Sequence, residues 1–99
     1  MPTVSDASPL IALGAIGRLE LLPALFGAIT IPPAVLAEIA PSLSDRPNWF
    51  VVRPLTQPEP APMQSSGLGR GEREALSLSL ELHAERVILD DRPARRLAQ

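Results

Sequence analysis

One short pattern, repeated, constrains this chain more than anything else in it. Thr3-Val4-Ser5-Asp6-Ala7-Ser8-Pro9-Leu10-Ile11 is an apolar run closed by an acid and followed at once by proline and helix formers. Ala28-Ile29-Thr30-Ile31-Pro32-Pro33 leads into Ala34-Val35-Leu36-Ala37-Glu38-Ile39-Ala40 in the same way. Val87-Ile88-Leu89-Asp90-Asp91 leads into Arg92-Pro93-Ala94-Arg95-Arg96-Leu97-Ala98. Each run is too short for a helix and suits a strand. The prolines suit the first helical turn, where a missing N–H costs nothing. In the first unit Ser8 is the expected N-cap and Pro9 the first helical residue. Strands alternating with helices predict an α/β fold around a parallel sheet. Ligands of such sheets bind beyond the carboxyl ends of the strands, where Asp6 and the Asp90-Asp91 pair fall.

Between these units the reading is less uniform. Residues 9–16 and 19–26 predict a helical hairpin, broken around Gly17 and ended by Gly27. Trp49-Phe50-Val51-Val52 reads as a third strand, its aromatics packing in the core or at the sheet edge. Residues 54–67 carry Pro54, Pro58, Pro60 and Pro62. They predict an extended, mobile surface connection without helix. Residues 70–85 alternate leucine and serine with a strand-like period of two. Length, the absence of β-branched residues and the Ala/Leu/Glu/Arg composition nevertheless predict a helix. The whole, residues 1–99, reads as one domain.

The absences exclude several chemistries. All nine basic residues are arginine, so no P-loop lysine exists, nor the lysine of receiver or haloacid-dehalogenase-type phosphotransfer sites. A chain with no cysteine and one histidine builds neither a zinc knuckle nor a Ser-His-Asp triad. His83 itself reads as a surface or helix-ending residue. No apolar stretch approaches the ~20 residues of a membrane span, and nothing resembles a signal peptide, so a cytoplasmic protein is expected.

The eleven acidic residues carry what chemistry remains. Glu20, Asp45, Glu59, Glu81 and Glu85 fall on expected outer faces or loops. Asp6 and Asp90-Asp91 end strands that share one sheet edge. Glu72 shares a helical face with Leu76 and is expected to point at the sheet, whereas Glu74 lies about 200° further round and takes at most a supporting place. Glu38 stands among Val35, Leu36 and Ile39, a costly setting for an unpaired carboxylate. Carboxylates gathered at one edge repel each other unless a hard cation such as Mg²⁺ or Mn²⁺ joins them.

With these residues in place the chain resembles the PIN domain family. More narrowly, it is similar to bacterial toxin-like PIN proteins related to the virulence-associated-protein-C toxins. The matching pieces are Val4-Ser5-Asp6-Ala7-Ser8-Pro9-Leu10-Ile11, Ile31-Pro32-Pro33-Ala34-Val35-Leu36-Ala37-Glu38-Ile39, Gly71-Glu72-Arg73-Glu74-Ala75-Leu76 and Ile88-Leu89-Asp90-Asp91-Arg92-Pro93-Ala94-Arg95. The resemblance implies a three-layer α/β/α fold and a metal-dependent ribonuclease. It implies Asp6, Glu38, Glu72 and one of Asp90 or Asp91 (Asp91 by preference) as the metal-site acids, with Ser8 as a supporting hydroxyl. Ala7 stands where this group usually has threonine. The chain ends at Gln99, where family members continue through a further helix and strand, so a sheet short of its last strand is expected.

The expected function is a Mg²⁺- or Mn²⁺-dependent endoribonuclease acting on single-stranded RNA, the toxin of a toxin–antitoxin pair. Arg92, Arg95 and Arg96 are candidates for gripping phosphate. A small antitoxin protein and a second copy of the chain, meeting through residues 9–26, are the expected partners. Two other readings remain open: a non-catalytic PIN scaffold that binds an antitoxin or its own copy, and a nuclease on DNA flaps.

Overall fold

The computed structural model describes residues 2–43 and 46–89. Four strands form one parallel sheet: β1 (Thr3–Ser5), β2 (Ile29–Ile31), β3 (Phe50–Val52) and β4 (Arg86–Ile88). Their order across the sheet is β3-β2-β1-β4. The chain therefore steps outward from β1 to β2 and β3, then returns to the far side of β1 to lay down β4. The parallel α/β architecture expected from the recurring pattern is what the chain adopts.

The helices are α1 (Ala7–Ala15), α2 (Leu21–Phe26), α3 (Pro33–Ile39), α4 (Ala61–Gln64) and α5 (Arg70–Leu82). The break between α1 and α2 falls at Gly17, whose φ of 69° suits glycine, as expected for a helical hairpin. Helix α3 begins on the proline pair, with Pro33 in its first turn and a 3₁₀ turn (Ala40–Ser42) after it. His83 ends α5 in a left-handed conformation, and the Ala84 N–H reaches back to the Ser79 carbonyl at 2.9 Å.

The core is continuous across the sheet. Val4, Ile29, Ile31 and Phe50 meet Leu10, Leu22, Val35, Ile39, Ala75 and Leu78 from the helices, all buried. Helix α5 lies on β1 and β4 and packs against α3. Trp49 and Phe50 meet edge-to-face at 4.6 Å, Phe50 in the core and Trp49 against it, as read from the sequence. No described helix is long and apolar enough to cross a membrane.

Three expectations need correction. The N-cap of α1 is Asp6, not Ser8, and Pro9 is the third helical residue rather than the first. The helix starts the moment the strand ends because the Asp6 carboxylate accepts the Ala7 N–H at 2.7 Å. Pro9 still costs no hydrogen bond, since none of the first four helical N–H groups has an intrahelical acceptor.

The proline-rich connection also does contain a helix, α4, with Pro62 in its first turn. The connection is fastened as well. Glu81 accepts the N–H groups of Thr56 (3.0 Å) and Gln57 (2.8 Å) and the Thr56 hydroxyl (2.8 Å). Arg73 meets Glu59 at 3.0 Å. Glu59 and Glu81, expected to be idle surface acids, are the anchors of this segment.

The third correction concerns α5. Its fully buried stripe runs Gly71, Ala75, Leu78 rather than through Glu72 and Leu76, which are half-buried beside it.

Candidate functional site

The sheet order places a topological switch point between β1 and β4. Successive connections run in opposite directions from β1, so the space beyond the carboxyl ends of β1 and β4 is not covered by a crossing connection. Asp6 is the first residue past the end of β1. Its N–H donates to the Ile88 carbonyl of β4 at 2.9 Å, which carries the ladder one step beyond the strand. Its side chain is 1% exposed. One residue thus closes the sheet, caps α1 and sets a carboxylate at the switch point. Ser5, fully buried, donates its hydroxyl to the Asp6 carbonyl at 2.8 Å and steadies the same junction. Ser8 is exposed, and its hydroxyl makes no hydrogen bond among the described residues. The serine hydroxyl bonded at this junction is that of Ser5, which holds the Asp6 main chain and which the sequence reading passed over. A serine at the buried end of a central strand was the available signal.

Glu38 comes from the last turn of α3. It is exposed, not sunk among Val35, Leu36 and Ile39. Its α3 neighbours Val35 and Ile39 turn into the core, while its own carboxylate leaves that face and lies over Gly71, in the first turn of α5. Contact with Gly71 brings it to the residue preceding Glu72. Glu72 is half-buried at the same helical turn. Glu74 is turned away and occupied: its carboxylate meets Arg70 at 2.9 Å across one helical turn.

Asp90, Asp91, Arg92, Arg95 and Arg96, and the helix expected to carry the arginines, lie outside the described residues. Among the described residues no three acidic or histidine side chains form a metal-sized group. The structure therefore places Asp6 at the switch point and brings Glu38 to the start of α5, without closing these acids into a trio by themselves. Their donor atoms are all carboxylate oxygens, which suit a small hard cation rather than zinc or copper.

A parallel sheet with a carboxylate at its switch point, and further acids on the flanking helices α3 and α5, defines an α/β protein with acids near one edge of its sheet. The family comparison agrees: the DUF3368 family model, a PIN domain, matches residues 2–99. The chain belongs to the PIN domain family. PIN domains are usually nucleases, so the fold is of a nuclease type. No curated protein and no solved structure matches the chain significantly.

Proposed function

We propose that the chain is a metal-dependent endoribonuclease that hydrolyses single-stranded RNA, and that it acts as the toxin of a toxin–antitoxin pair in the cytoplasm. The observation that carries the reading is Asp6, a buried carboxylate built into the backbone junction at the switch point of a PIN-domain sheet. Asp6, Glu38, Glu72 and Asp91 would hold Mg²⁺ or Mn²⁺, with Asp90 beside them. The Glu38 carboxylate fits that use, since Gly71 leaves open the space in which it rests. A bound ion of this kind activates water and stabilises charge on a phosphoryl group. The chain's own part is to fix the carboxylates on rigid elements and to offer cations to the RNA backbone. Arg92, Arg95 and Arg96 are assigned to that second task.

The test is RNA cleavage with Mn²⁺ by wild type and Asp6→Asn. Asp6→Asn is expected to lose at least 100-fold in rate, in keeping with the loss of a charged group that stabilises a transition state. Cleavage at the wild-type rate by a folded Asp6→Asn protein refutes the assignment.

A second reading is a PIN scaffold without catalysis that binds an antitoxin or its own copy. It predicts no acid-dependent Mn²⁺ binding in calorimetric titration. Under either reading the helical hairpin is the proposed contact with a second copy. Ile11, Ile16, Leu21 and Leu25 are all exposed along it. A monomeric mass in light scattering would count against that contact.

A further inference from the structure

Gly71 is the second residue of α5, an element otherwise built from good helix formers. A glycine there lowers helix stability relative to alanine. Its backbone does not require glycine: Gly17, Gly27 and Gly67 have positive φ, whereas Gly71 does not. What lies against it is the end of the Glu38 side chain. A Cβ added to Gly71 would fall on Glu38 Oε1, 2.9 Å from Cδ and 3.4 Å from Oε2. The other five glycines have nothing within 4 Å of such a Cβ. Only at Gly71 does the missing side chain make room for another group.

We infer that Gly71 is a positioning residue: its bare Cα forms a slot on α5 that receives the Glu38 carboxylate from α3 and holds it beside Glu72. Three features of the structure make the slot specific. Helices α3 and α5 pack directly on each other, which fixes the distance between Glu38 and Gly71. Gly71 itself is buried on the stripe that continues through Ala75 and Leu78, so an added Cβ displaces the Glu38 side chain rather than rolling α5. The carboxylate also rests against the N-terminal turn of a 13-residue helix, the end that favours negative charge. A glutamate has three rotatable bonds and explores much space when exposed. The slot restricts that space and points two acids from different elements toward one place. Gly71 touches neither RNA nor metal; it acts through Glu38.

The metal part of this inference rests on the nuclease reading, and two measurements separate its failure from the failure of that reading. The first is thermal unfolding without metal, for Gly71→Ala in the wild-type and Glu38→Ala backgrounds. With Glu38 removed, the alanine meets no obstacle and is expected to raise Tm by a few degrees through helix propensity. With Glu38 present, the same change displaces the carboxylate from the helix start, so a smaller rise in Tm is expected. Equal shifts in both backgrounds overturn the slot. If Gly71→Ala alone folds poorly, recovery of folding in Gly71→Ala/Glu38→Ala supports the slot, and persistent misfolding overturns it.

The second measurement is Mn²⁺ affinity by calorimetry. Gly71→Ala is expected to weaken binding roughly ten- to a hundredfold, as loss of a ligand-orienting partner does. Glu38→Gln should weaken it as well, and the double variant no further than the worse single one. Multiplied losses, or wild-type affinity in Gly71→Ala, overturn the positioning role. Should the wild-type protein itself bind no Mn²⁺, the nuclease reading and the positioning role fall together, while the unfolding comparison still decides the slot.

Discussion

Asp6 has two separable duties, and a pair of substitutions pulls them apart. Its carboxylate accepts the Ala7 N–H at 2.7 Å in a site where both residues are fully buried. Asp6→Ala removes the cap, which typically costs about 1 kcal/mol. It also strands a buried donor that water cannot reach, with a penalty of about 1–3 kcal/mol. The two costs overlap, so a loss of about 2–3 kcal/mol is expected. For a domain of this size that corresponds to a fall in Tm of roughly 10–20 °C. Asp6→Asn keeps an oxygen in the same place, and asparagine caps about as well as aspartate. The cap is kept while the charge–dipole attraction at the helix start goes, which by itself costs under about 1 kcal/mol. Urea unfolding followed by circular dichroism measures both. Equal losses in the two variants would mean that the charge, rather than the cap, holds the junction. No loss in Asp6→Ala would mean that the hydrogen bond contributes nothing. If the reasoning holds, Asp6→Asn is a folded protein lacking one charge, and its activity reports on chemistry alone.

Two further outcomes follow from the same structure. Leu78→Ala should cost about 2–5 kcal/mol and Leu80→Ala less than about 0.5 kcal/mol, since the first is 0% and the second 57% exposed on one helix; similar losses in chemical denaturation would contradict the packing of α5. The Thr56 hydroxyl above all holds the Glu81 carboxyl below its usual range, opposed by desolvation and helped by the backbone N–H groups of Gln57 and Thr56. Because the folded value is depressed, the stabilisation is present above the ordinary value of 4.5 and is lost as pH falls through the lower, folded one. Thr56→Val should move the Glu81 titration, read by NMR, back toward the ordinary range, and an unmoved titration would remove Thr56 as the main cause.

Local rules made most of the fold legible. Short β-branched runs beside proline can be little other than strand followed by helix, and three of them in series leave few arrangements besides a parallel sheet. The helical hairpin, the strand at Phe50–Val52 and the helix through the Leu-Ser alternation were readable for similar reasons: glycine marks breaks, aromatics mark strands, and long β-branch-free runs favour helix. Asp6 and Glu72 stand out as candidates because of where they fall relative to those elements. Proline, by contrast, misled in residues 54–67. A proline forbids helix interiors but not first turns, and α4 is hardly more than a first turn.

The remaining features depend on contacts between elements far apart in sequence, which no local pattern encodes. The order β3-β2-β1-β4 makes the end of β1 a switch point, and the sequence carries no direct mark of strand order. Glu59 and Glu81 look like idle surface acids until Arg73, Thr56 and Gln57 are folded against them. Glu38 looked costly among apolar neighbours, yet helix packing lets its flexible side chain leave them and settle on Gly71. By itself, then, the sequence determined the kinds of element, their alternation and the acids at their ends, because propensity and capping act over a few residues. Only the tertiary structure decided that Asp6 stands at a switch point and that the Glu38 carboxylate lies over Gly71, because those depend on strand order and on how close two helices approach.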